Sequence, residues 1–107
     1  MRTVDAINMY NTLGRLKLSA IKDKATMTAL MDDHLALWRV SREFDEYMES
    51  LRDKPEQINL ARQHYLWKEL SLDLAKVGRE SVIEAAVESG MTLADMTALS
   101  GLFKTDD

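Results

Sequence analysis

From Asp23 to Asp53 the chain runs without a glycine or a proline, and within that stretch Met27, Leu30, His34, Leu37, Ser41, Phe44, Met48 and Leu51 recur at alternating steps of three and four. A strand sends successive side chains to opposite faces, so this spacing gathers them on one side only if the segment is helical. The predicted helix is on the order of 45 Å long and carries a heptad seam. Met31 and Trp38 lie beside the seam, and Val40 and Tyr47 lie on its other flank. The apolar arc is therefore wider than a two-stranded coiled coil uses, and several elements or another copy are expected to cover it.

The flanking segments supply candidates for that cover. Thr3 can cap a short helix whose apolar face is Val4, Ile7, Tyr10 and Leu13, with Gly14 at its left-handed end. From Arg15 to Ile21 the pattern alternates, Leu16 and Leu18 against Lys17 and Ser19, as in a short strand or extended linker. Pro55 suits the first turn of a new helix, so residues 53–55 form the tip of a helical hairpin whose second arm starts with Ile58, Ala61, Arg62 and Tyr65. Leu70, Leu72 and Leu74 then alternate with Ser71 and Asp73, which predicts a strand from about Glu69 to Val77.

Two capping boxes follow, Ser81 to Glu84 and Thr92 to Asp95, with Gly90 between them. Two short helices are expected, the last with Leu93, Met96, Leu99 and Phe103 on one face, and Lys104 to Asp107 as a frayed tail. The expected fold is mainly α: a long helical hairpin with a C-terminal pair of short helices, in a single domain spanning 1–107. A small two-stranded β element at about residues 15–20 and 69–77 is compatible with it. A chain of this length buries roughly two thirds of its unfolded surface, enough for one core.

Charge and composition narrow the function classes. Residues 1–54 carry nine basic and nine acidic side chains and residues 55–107 five and nine, so the net charge of −4 sits in the second half and does not invite polyanions there. Absence of cysteine removes disulfide frameworks and thiolate metal sites and favours a reducing compartment; a cytoplasmic location is expected. The start lacks the apolar segment of a secretory signal, and the longest apolar run is Leu35 to Trp38, so no membrane role is expected.

A search for chemistry returns little. His34 and His64 would stand at hairpin levels roughly 15 Å apart, too far for a shared metal. His34 on the seam reads as a register-setting polar residue, and His64 as the partner of Asp45 in a hairpin salt bridge. Glu43, Asp45, Glu46 and Glu49, like Asp32 and Asp33, read as solvated acidic faces. HExxH, EF-hand, Walker and GxSxG patterns are absent. No enzyme activity, cofactor, metal or small-molecule substrate is expected.

Ala86, Gly90, Met96 and Leu99 fall at the spacing of a helix-turn-helix unit over residues 82–101, which makes a DNA-binding regulator the alternative. The would-be recognition helix, Thr92 to Ser100, offers no cation and stands near Glu80, Glu84 and Glu88, so nucleic acid is disfavoured. The basic residues Arg15, Lys17, Lys22 and Lys24 read as a solvated edge that discourages sheet aggregation. Met31, Leu37, Trp38, Phe44 and Trp67 are the candidate core or interface anchors, and the seven methionines fit an adaptable packing surface. A homo-oligomer or a complex with another protein is expected.

The order of short helix, Leu16-Lys17-Leu18, long heptad helix, alternating Leu70 to Val77 and a final Met91-Thr92-Leu93-Ala94-Asp95-Met96-Thr97-Ala98-Leu99 resembles small helical proteins of unknown function encoded by bacteriophages and prophages. The resemblance covers most of the chain. It implies a viral or mobile-element origin and a role in virion assembly or head and tail morphogenesis, and it supplies no catalytic residues.

Overall fold

A computed structural model describes residues 1–104. Its five α-helices are α1 (Thr3–Leu13), α2 (Lys24–Ser50), α3 (Pro55–Trp67), α4 (Glu80–Glu88) and α5 (Leu93–Ala98), with short 3-10 turns at Leu18–Ala20 and Ser100–Leu102. The mainly helical class and the long helical hairpin are as expected. α2 starts where the side chain of Asp23 accepts the backbone N–H of Thr26, the ordinary way a helix start is satisfied. Every seam position from Met27 to Leu51 is buried or half-buried. Pro55 opens α3, where its missing N–H costs no hydrogen bond.

One hydrophobic cluster joins Ala6, Met9 and Leu13 of α1, Leu30, Leu37 and Val40 of α2, Leu74 and Val77 of the following segment, and Val82, Ala85, Ala86, Leu99 and Leu102 near the C-terminus. The molecule measures 47 × 28 × 23 Å, and its radius of gyration of 15.4 Å exceeds the about 13 Å of a compact chain this long. The excess comes from the hairpin. Val40 is the last buried residue of α2, and none of the residues of α3 is buried.

Several local expectations change. α1 is rotated from its predicted face: Thr3, Ala6, Met9 and Thr12 are buried beside Leu13, whereas Val4, Ile7 and Tyr10 are half-buried. Thr3 is not the cap; it is the first helical residue, and its hydroxyl donates to the carbonyl of Lys68. Gly14 stays right-handed at φ −63°, and the left-handed glycine is Gly90 at φ 69°, which turns the chain between α4 and α5.

Neither predicted strand forms, and among the described residues there is no sheet. Residues 15–20 make a turn and a 3-10 helix, and residues 68–78 run as a strap without helix or sheet. The alternation in the strap is real, with Leu74 buried, Leu70 and Leu72 half-buried and Ser71 and Asp73 exposed. Its backbone finds other partners: Leu70 N–H donates to Met1 O, Ala75 N–H to Asp33 Oδ1, Val77 N–H to Leu102 O, and Val77 O accepts from Lys104 N–H. These contacts leave only isolated bridges, Arg2 with Glu69 and Val77 with Phe103. Extended backbone needs its hydrogen bonds satisfied, but not by a second strand.

At the C-terminus, the Thr92–Asp95 capping box is complete. The Ser81 box does not form, because α4 begins at Glu80, two residues before a Ser81 cap would start it, and Ser81 lies inside the helix. Lys104 is held by Val77 and is no frayed end; the rest of the predicted tail lies outside the described residues.

Candidate interaction surface

The long helix has two unlike faces. Thr26, Leu30, Asp33, Leu37 and Val40 point into the core, and Met31, Leu35 and Trp38 are exposed on the opposite side. These three follow one another by four and three residues, so they form a single stripe. Arg42 extends the stripe, with its guanidinium 5.2 Å from the Trp38 ring centre and 3.0 Å from Glu46. Arg39 stands beside it, exposed.

Of the predicted anchors, Met31 and Trp38 are thus on the surface together. Leu37 takes the core place among these anchors. At 0% exposure it is part of the packed core, because the seam faces α1 and the strap. Phe44 is half-buried against Tyr65, 5.5 Å between ring centres, and Tyr47 flanks the same ring at 5.1 Å. These rings hold the two arms of the hairpin together, and burial, then the nearby Glu43, raises the Tyr65 hydroxyl pKa. Trp67, 60% exposed, lies under the Arg2 guanidinium at the far end of α3.

Sequence reasoning missed several exposed apolar residues. Leu35 lies off the heptad seam; Leu60 projects from α3; Ile83, Val87 and Leu93 project from the C-terminal pair. Val87 and Leu93 are 74% and 87% exposed. The available signal was the period of α4. With Val82, Ala85 and Ala86 inward, Ile83 and Val87 must stand outward beside Glu80, Glu84 and Glu88. Leu93 was assigned to the sticky face with Leu99, but only Leu99 is buried.

The polar candidates scatter. His34 stacks on Tyr10 with ring centres 4.9 Å apart and borders an apolar groove of about 310 Å³ formed by Leu13, Leu16, Leu18, Leu30 and Met31. His64 is exposed in a shallow groove with Tyr47, Glu56 and Leu60. The predicted His64–Asp45 bridge is absent among the described residues, where the ion pairs of the hairpin are Arg42–Glu46 and Arg52–Glu49. Arg15 is not merely a solvated cation: it bonds Asp95 at 2.6 Å and ties the turn after α1 to α5. The Thr92 N–H first, and then Arg15, hold the Asp95 carboxyl below its usual pKa.

Asp33 is the unusual polar group. It is 2% exposed; Oδ1 accepts the Ala75 N–H at 2.7 Å, and Oδ2 has no hydrogen-bond partner among the described residues. Burial raises its pKa, aided by Asp32 and opposed by the Ala75 N–H and by Lys76. Among the described residues no three His, Cys, Asp or Glu side chains gather as metal ligands would, and no helix is long and apolar enough to cross a membrane. Comparison with known proteins finds no family model, no curated protein and no solved structure that matches the chain.

Proposed function

We propose that this helical protein is a non-enzymatic structural or protein-interaction component that acts by association, first with further copies of itself and otherwise with another protein. The observation that carries this reading is the Met31–Leu35–Trp38 stripe, exposed on a helix whose opposite face is already filled by the core. Large aromatic and apolar side chains on a rigid helix are typical association anchors. The resemblance to phage- and prophage-encoded proteins extends the reading to a part in virion assembly, and the cysteine-free composition favours the cytoplasm as its place of action.

Light scattering across a dilution series tests the reading directly. A dimer or larger species is expected for the wild type, and Trp38→Asp is expected to lower that mass while leaving the melting temperature within a few degrees. A wild-type monomer at every concentration would overturn self-association.

The order α4, left-handed Gly90, α5 favours one second reading, a DNA-binding regulator using residues 82–101. Its weakness is electrostatic. α5 has six residues and no cation, and Glu80, Glu84 and Glu88 are exposed on the helix before it. Salt-resistant retention on duplex DNA would replace the first reading with this one.

A further inference from the structure

Two exposed faces of this chain are complementary to each other. On α2, Met31, Leu35 and Trp38 form an apolar stripe with Arg39 and Arg42 toward its C-terminal end, Arg42 shared with its own Glu46, and Asp32 exposed beside Met31. On α4, Ile83 and Val87 form an apolar stripe alongside Glu80, Glu84 and Glu88, and Leu93 projects from the start of α5. Both faces lie opposite the core side of their helices, so neither can fold onto the other within one molecule.

We infer that the α4 face of one copy packs on the α2 stripe of a second copy, with the two helices antiparallel. This inference rests on the self-association proposed above and names its two surfaces. The antiparallel sense follows from the order of residues. It carries Leu93 toward the apolar groove beside Met31, sets Val87 and Ile83 against Leu35 and Trp38, and brings Glu84 and Glu80 alongside Arg39 and Arg42.

The dimensions agree. Met31 to Arg42 spans about 16 Å and Glu80 to Glu88 about 12 Å. The groove of about 310 Å³ between Leu13, Leu16, Leu18, Leu30, Met31 and His34 is large enough for a leucine side chain. The parallel sense would bring Glu80 to the Met31 end and leave Leu93 among arginines. Apolar contact supplies the attraction in this arrangement, and the charges select the partner face and its direction.

Because the two faces differ, the pairing closes either as a two-fold dimer with two such contacts or as a ring, and an unclosed version propagates as a filament. A two-fold dimer, an even-membered ring and a filament all let two charge variants alternate, so one experiment serves them, and an odd-membered ring is recognised beforehand from the wild-type mass. Variant one carries Glu80→Arg and Glu84→Arg; variant two carries Arg39→Glu and Arg42→Glu. All four positions are exposed, and circular dichroism melting reports whether each variant keeps its fold.

Each variant alone sets like charges against each other at every α2–α4 contact, and its association is expected to weaken by roughly a hundredfold. An equimolar mixture restores opposite charges at both kinds of contact, and sedimentation velocity should recover the wild-type mass. Variants that keep the wild-type mass, or folded monomers that stay apart on mixing, overturn this pairing and leave self-association through another face standing. A monomeric wild type overturns both.

Discussion

The two ends of α2 are the same helix in very different surroundings. Its N-terminal half lies in a cluster built from α1, the strap and the C-terminal helices, with Leu30 and Leu37 almost completely buried. Past Val40 no residue of either arm is buried, and there the Phe44 and Tyr47 rings rest on Tyr65 of α3. An isolated helix of thirteen residues is marginal in water, so α3 depends on tertiary contacts, here the Phe44, Tyr47 and Tyr65 rings and the tether of its last turn to α1. A continuous helix thus does not imply uniform stability. The cored end sets the fold, and the same stretch carries the exposed Met31, Leu35 and Trp38 on its outer side.

The largest expected effect breaks this comparison at the cored end. Leu37→Ala should cost about 2–5 kcal/mol, because the cavity is walled by several elements that cannot all collapse into it. Leu60→Ala, the same deletion on α3, should stay within about 0.5 kcal/mol. Urea unfolding of both variants checks the pair, and equal losses would mean that the hairpin is packed as tightly as the core.

Asp33 sharpens the comparison, since a buried carboxylate with a vacant oxygen is tolerable only where the surrounding contacts are strong. Its folded pKa lies above the ordinary carboxylate value, so its contribution to stability is full below that value and is lost as the pH rises through the folded pKa. Asp33→Asn keeps an oxygen for the Ala75 N–H and removes the charge. It should be about 1–2 kcal/mol more stable than wild type at pH 7, with the gain shrinking as the pH falls toward 4. Thermal melts over that range test the sign. A gain that is constant with pH would show that the charge is not what destabilises the site.

Thr92→Ala is the smallest of the three. Losing the side-chain cap of α5 should cost about 1 kcal/mol, and amide exchange should quicken in α5 more than in α1. Asp95, on the other arm of that box, titrates in the opposite sense to Asp33. Its depressed pKa stabilises the fold above the ordinary carboxylate range, and that contribution is lost as the pH falls through the depressed value.

Much of the architecture was legible in the residues. The glycine-free heptad run, Pro55 at a helix start and the Thr92–Asp95 box act through the local backbone, and each appears as the spacing demands. The candidate surface was legible only in part. Leu37 stood on the seam and Met31 and Trp38 beside it, but the pattern did not say how much of that wide apolar arc the rest of the chain would cover. Leu93 looked like Leu99 for the same reason.

By itself, then, the sequence determined the long helix, the Pro55 start of the hairpin's second arm and the Thr92 cap, because helix periodicity, proline and capping act over a few residues. Only the tertiary structure decided that the alternating strap would bond to other parts of the chain rather than to a strand, that α1 would turn Met9 inward, and that α2 would bury Leu37 while leaving Met31, Leu35 and Trp38 exposed. Those outcomes depend on which distant segments compete for the same backbone groups and the same apolar area, and no local pattern contains that competition.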